Sequence, residues 1–321
     1  MTSRTLPDLP RWLQLVSPVI VLGAVFGALY LTSPFGDLSG VEEASTLEIL
    51  WMLTVIGAIA GIIPVAIGML WFPFIRDLDP RYLHAFLALA AGVLAFIAVE
   101  MTEDMIFDYG LEVESATLAG STIDGTILAA TAAILGVGGT FVVMYAASEW
   151  RQRKMASPQK SGLEIAYLVA LALGLHSIGE GLGIGVAYIQ GDASLLMLLV
   201  LAFIMHNVME GPTIVAAVAR ERETPPLRHF AAMGVIAGGP VILGGWIGSF
   251  AESNLLAVLF FAIAIGAILQ VLLEVADLIR FDAEAVLTRT NAATFSFGFI
   301  VMFFLEDVLT EVLLEGWLVP A

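Results

Sequence analysis

Long apolar runs alternate with short polar segments along almost the whole chain. About nine runs reach the length of a membrane-spanning helix, at 12–33, 49–75, 82–102, 125–148, 163–189, 193–219, 229–250, 254–277 and 292–314. A spanning helix needs roughly 20 consecutive apolar residues, so the pattern predicts an all-α integral membrane protein, a polytopic helix bundle. Several runs carry internal glycines (Gly61, Gly68, Gly92, Gly136, Gly138, Gly139), which let membrane helices approach closely.

The polar segments set an orientation. The chain has 13 Lys and Arg. Arg4 and Arg11 precede the first run; Arg76 and Arg81 follow the second. Arg151, Arg153, Lys154 and Lys160 follow the fourth, Arg220, Arg222 and Arg228 the sixth, and Arg280 and Arg289 the eighth. With nine spans, all of these fall on one side. The other side carries Asp37, Glu42, Glu43, Asp108, Glu112, Glu114, Asp124, Asp192 and Glu252. Lys and Arg mark the cytoplasmic face, which places the N-terminus inside and the C-terminus outside a cell membrane crossed many times. The connections are too short for a soluble domain, so residues 1–321 are expected to form one transmembrane domain. The longest cytoplasmic loop is 149–162, and the longest outer loops lie near 34–47 and 107–124.

Composition sharpens the picture. Hydrophobic residues make up 59% of the chain and charged residues 13%, about half the charged share of a soluble domain. The 30 acidic residues give a net charge of −17. No basic nucleic-acid surface is available; the acidity reads as a solvated surface or as an outer mouth that concentrates cations. The absence of cysteine excludes disulfides, thiolate metal sites and cysteine nucleophiles. The first apolar run is too long for a signal-peptide core and lacks a small-residue cleavage site. Trp12, Trp51 and Trp317 suit an interfacial aromatic belt, and His84 and His229 are expected at the interface.

Ionisable residues inside spans are costly and are functional candidates. The fifth run reads His176-Ser177-Ile178-Gly179-Glu180-Gly181, and the sixth His206-Asn207-Val208-Met209-Glu210-Gly211-Pro212. Each holds His and Glu four residues apart, on one helix face. Adjacent antiparallel helices would bring the two faces together near mid-membrane. Neutral imidazole and carboxylate are ligands for zinc and similar divalent ions. Such pairs also serve as helix-helix glue, but two matched pairs at equal depth favour a metal site. Glu100, Glu103 and Asp104 at the end of the third run read as an entrance or as a solvated helix end. Glu306, Asp307, Glu311 and Glu315 read mainly as solvated.

These two motifs resemble the fourth and fifth helices of the ZIP (Zrt/Irt-like protein) divalent metal transporters, in particular the GufA-like branch. The resemblance covers roughly 48–315, with 1–47 as an added N-terminal helix and outer loop. It implies an eight-helix core of two inverted repeats and import of zinc, iron, manganese or cadmium; the donor set itself also suits cobalt. It also implies that His176, Ser177, Glu180, His206, Asn207 and Glu210 bind metal, and that Glu274 is an acidic group near the inner exit. The chain departs from the family at Ser177, where Asn is usual, and at Gly179 and Met209, where Pro usually precedes Glu. Where the family often has Glu before Pro, this chain has Gly239 before Pro240, so one principal metal site is expected rather than a bridged pair. The cytoplasmic loop Arg151–Lys160 has no histidine. The expectation is transport, with no enzyme activity and no cofactor beyond the carried ion; a non-transporting metal sensor or scaffold and an intramembrane zinc hydrolase are the alternatives. A homodimer is left open.

Overall fold

The eight apolar runs from 49 onward each coincide with a helical rod in the computed structural model. It describes residues 44–72, 80–118, 121–155, 162–219, 225–251, 253–282 and 285–308. The run at 12–33, Trp12, Trp317, Glu252, Glu311 and Glu315 lie outside those residues, as do the side chains of Glu306 and Asp307. The first rod comprises α1 (Thr46–Gly57), a π-helical turn (Ala58–Ile62) and α2 (Ile63–Met69). Then come α3 (Pro80–Asp104) with a second π turn (Met105–Gly110), α4 (Gly125–Met155), α5 (Gly162–Ile189) and α6 (Ala193–Ala219). The chain continues through α7 (Leu227–Gly238), α8 (Pro240–Gly248), α9 (Asn254–Asp282) and α10 (Arg289–Val308). Among the described residues, 6 helices are long and apolar enough to cross a membrane. The protein is an all-α polytopic membrane protein in architecture.

Local chemistry sets the boundaries. Ser45 caps α1 in a reciprocal capping box with Glu48: the Ser45 N–H donates to Glu48 Oε2 at 2.8 Å, and the Glu48 N–H donates to Ser45 Oγ at 3.4 Å. This satisfies two backbone donors that the helix start leaves unpaired. Gly191, at φ 74°, turns the chain tightly between α5 and α6, a left-handed conformation that glycine adopts without penalty. Asp192 then caps α6 by accepting from the Leu195 N–H at 2.9 Å. The segment 107–124, read from the sequence as loop, contains a small antiparallel hairpin that pairs Ala116–Leu118 with Ser121–Ile123. Its Thr117, Thr122 and Ile123 are β-branched and suit extended backbone.

Two rods are broken, and each break has a cause. Proline lacks the N–H that a carbonyl four residues back would accept. Pro64 follows the first π turn, and Pro240 begins α8 directly after Gly238 and Gly239. The two rods cross at their breaks: a methyl group on Gly61 or Gly238 would strike the other residue's backbone. The carbonyls of Val208 and Ile236, four residues before Pro212 and Pro240, lie against Gly68 and Gly174. Glycine at these points brings backbone to backbone, the usual packing device where lipid offers no hydrophobic drive.

The helix pairings repeat between the two halves. α8 packs on α5 as α2 packs on α6; α9 packs on α4 as α10 packs on α3; α9 contacts α5 as α3 contacts α6. The exchange that relates these pairs swaps α5 with α6, consecutive helices joined by a tight turn. α6 and α9 are the most enclosed of the six long apolar helices, with 67% and 61% of their most apolar windows buried, against 11% for α4. The exposed Ile134, Leu135, Val142 and Val143 of α4 therefore form an outer, lipid-facing wall.

Candidate metal centre

α5 and α6 place the site. Each carries its His and Glu one turn apart, so both side chains share a face. His176 lies ~21 Å along α5 and His206 ~20 Å along α6 by helical rise. Both are near the midpoints of helices of 28 and 27 residues. Gly179 packs against Ala264 and Ala267 of α9, and Gly181 against Val241 and Gly244 of α8. These contacts hold the polar face of α5 toward α6.

The four ionisable side chains interlock. Glu210 Oε1 lies 2.9 Å from His176 Nε2 and 2.6 Å from His206 Nε2, and Glu180 Oε1 lies 3.8 Å from His206 Nε2. The two imidazole centroids are 6.2 Å apart. His176, Glu180 and His206 offer ligand atoms all within 4.8 Å of one another. Every one of these residues, with Ser177 and Asn207, is no more than 5% exposed.

Asn207 ties the cluster to the broken first rod. Its amide nitrogen donates to the Ala60 carbonyl at 2.9 Å and to Glu180 Oε2 at 3.1 Å. Ala60 lies in the π turn, four residues before Pro64, which has no N–H to offer it. π turns often occur at functional sites because they misalign backbone groups. The Ala60 carbonyl was not foreseen from the side-chain pattern; Gly61 and Pro64 were the sequence signals for it. Ser177, in turn, donates its hydroxyl proton to the Leu173 carbonyl at 2.9 Å.

Several buried polar atoms of the cluster have no hydrogen-bond partner among the described residues: Glu180 Oε1, Glu210 Oε2, Asn207 Oδ1 and both ring nitrogens of His206. The 2.6 Å contact from His206 Nε2 to Glu210 is close, but it lacks the alignment of a hydrogen bond. Each such atom costs about 1–3 kcal/mol when unsatisfied, and more when charged. Side chains that merely glue two helices together would satisfy each other. Two neutral imidazoles and two carboxylates carry a charge of −2, which a divalent cation cancels. Around a tetrahedral zinc ion, ligand atoms lie about 3.3 Å apart by the usual bond lengths, a value that the observed separations bracket, from 2.6 Å between Glu210 and His206 to 3.8 Å between Glu180 and His206. The cluster can therefore bind a divalent metal through nitrogen and oxygen donors. Gly239, in the middle of the break between α7 and α8, contributes no carboxylate.

The other sequence candidates lie elsewhere. Glu274 on α9 pairs with Arg151 of α4 and accepts from Gln270 Nε2 at 3.1 Å, so its charge is matched. Glu103 is exposed, and Asp104, beyond the end of the run 82–102, is partly buried. Burial first, then the carboxylates of Glu100, Asp192 and Asp108, push Asp104 up to about 8. His84, expected at the interface, lies near the start of α3 and is buried at 6% exposure, with Nε2 unpartnered among the described residues. The sequence places it near a helix end but cannot show which neighbours enclose it. His229 is half-buried and hydrogen-bonds the Tyr167 hydroxyl at 2.9 Å.

In comparisons with known proteins, no family model matches the chain and no curated protein matches it.

Proposed function

We propose that the protein carries a divalent metal cation, zinc or a similar ion, across a cell membrane through the α5–α6 cluster, in the manner of the ZIP-like transporters its motifs resemble. The observation that carries this reading is the set of nitrogen and oxygen atoms around two buried carboxylates that find no partner among the described residues. Their charge and donor chemistry call for a divalent cation. The repeated helix pairings support transport over simple storage. An operation that exchanges antiparallel neighbours has its axis across the helices rather than along them. Inverted repeats of this kind, with a site between broken helices, suit alternating access.

The test is uptake of Zn²⁺, Fe²⁺, Mn²⁺, Co²⁺ and Cd²⁺ into proteoliposomes under an imposed metal gradient. Protein-dependent accumulation of at least one ion is expected. Tight binding with no flux would instead make the protein a sensor or scaffold.

The proposed topology has nine spans, with the N-terminus inside. Because the chain has no cysteine, single introduced thiols report position cleanly. A membrane-impermeant reagent applied from outside should label Thr117→Cys and not Gln152→Cys. Labelling of both from the same side would mean a wrong span count.

A further inference from the structure

A second polar feature lies away from the metal cluster. A shallow pocket, open to the exterior, lies between α4, α5 and α9, lined by Met144, Trp150, Arg151, Leu171 and Leu175 among others. Its walls are apolar, and Trp150, Leu171 and Leu175 are 53%, 47% and 40% exposed at its rim. The mouth therefore faces lipid. Arg151 is only 5% exposed. Its Nη2 meets Glu274 and donates to Ser148 Oγ at 3.2 Å, while its Nε is buried with no partner among the described residues.

Depth fixes what can reach it. Arg151 lies ~39 Å along α4 from Gly125, beyond the ~30 Å hydrocarbon core and within the headgroup layer. Glu274 lies ~30 Å along α9 from Asn254, at its edge. Lys154 sits over the Trp150 ring, 5.9 Å from its centroid, which brings a second cation to the same rim. Glu274 offsets Arg151, and Glu149 offsets Arg153 at 3.3 Å; Lys154 and the Arg151 Nε–H, unpartnered among the described residues, remain for an anionic acceptor. Basic pockets between membrane helices at headgroup level bind anionic lipid heads.

We infer that this cavity is a binding site for an anionic phospholipid, whose phosphate accepts from Arg151 and faces Lys154 while its acyl chains lie along Leu171 and Leu175. The site is separate from the metal cluster and rests on the spanning reading alone, so failure of metal transport leaves it intact.

Native mass spectrometry of the whole protein, released from vesicles containing equal parts phosphatidylglycerol and phosphatidylcholine, tests it. The wild type should retain one phosphatidylglycerol over phosphatidylcholine by about fivefold, the preference one basic residue gives at a membrane surface. Ala147→Phe fills the cavity without touching the ion pair and should abolish that preference. Arg151→Ala should do the same; if it fails to fold, Ala147→Phe alone decides. Inorganic phosphate at millimolar concentration should not displace the lipid. Equal retention of both lipids, unchanged retention by Ala147→Phe, or displacement by free phosphate would each overturn the assignment.

Discussion

Glu210→Ala should weaken divalent metal binding by about a hundredfold or more, measured by equilibrium dialysis in detergent. Replacing residues that only support metal ligands costs 10–100-fold, and Glu210 is placed more directly than that. Its Oε1 lies between both imidazole nitrogens, at 2.9 and 2.6 Å. Removing it deletes one of the two charges that balance the ion and frees both rings. His176→Ala should behave similarly, since it removes a nitrogen donor and the partner of Glu210. The fold should survive both changes, because α5 and α6 are held by the glycine contacts and by apolar residues such as Leu196, Leu199 and Phe203, which are fully buried. Glu103→Ala, at an exposed position, should bind metal as wild type does. Equal affinity for all of these variants would remove the cluster from the account, even if the protein moves metal by another route.

The largest effect on stability is expected at Gly181. A methyl group there would meet the Val241 carbonyl, with Gly245 N at 2.8 Å and Gly244 Cα at 2.9 Å. These are backbone atoms of α8, which cannot swing aside as a flexible side chain could. Overpacking typically costs 1–3 kcal/mol, and backbone contact on three sides puts Gly181→Val at about 3 kcal/mol or beyond. The variant should give no monodisperse peak on size exclusion. Gly138 and Gly139 of α4 make the contrast, because a methyl group at either position meets nothing within 4 Å. Ala is about 1 kcal/mol better than Gly inside a helix, so Gly138→Ala and Gly139→Ala should melt at or above the wild-type temperature. A Gly181→Val protein as stable as wild type would mean that the α5–α8 packing is wrong.

Much of this was legible in the sequence, for physical reasons. Apolar runs report spanning helices because lipid leaves a helix few alternatives, and the runs at 163–189 and 193–219 match α5 and α6 closely. The four-residue spacing of His176 with Glu180 and of His206 with Glu210 is a local property of one helix, so it could be read directly. What joins different rods could not. The Asn207 bond to the Ala60 carbonyl spans 147 positions, and no spacing rule reaches that far. The Arg151–Glu274 pair was hidden for the same reason: read singly, one residue is a topology signal and the other an exit group. The burial of His84 could not be read either, because it depends on what packs around a helix end, not on the distance from that end. The hairpin at 116–123 was missed because three-residue strands carry almost no alternation.

We propose that one divalent ion sits among His176, Glu180, His206 and Glu210. Anomalous diffraction from crystals grown with Cd²⁺ or Zn²⁺ tests it most directly. The account predicts a single strong peak near mid-membrane, within about 2.0–2.3 Å of nitrogen and oxygen atoms of those side chains. Two fully occupied peaks within about 4 Å of each other, the bridged-pair separation, would contradict the single site inferred from Gly239. No peak at the cluster, with bound metal found elsewhere in the protein, would contradict the account as a whole.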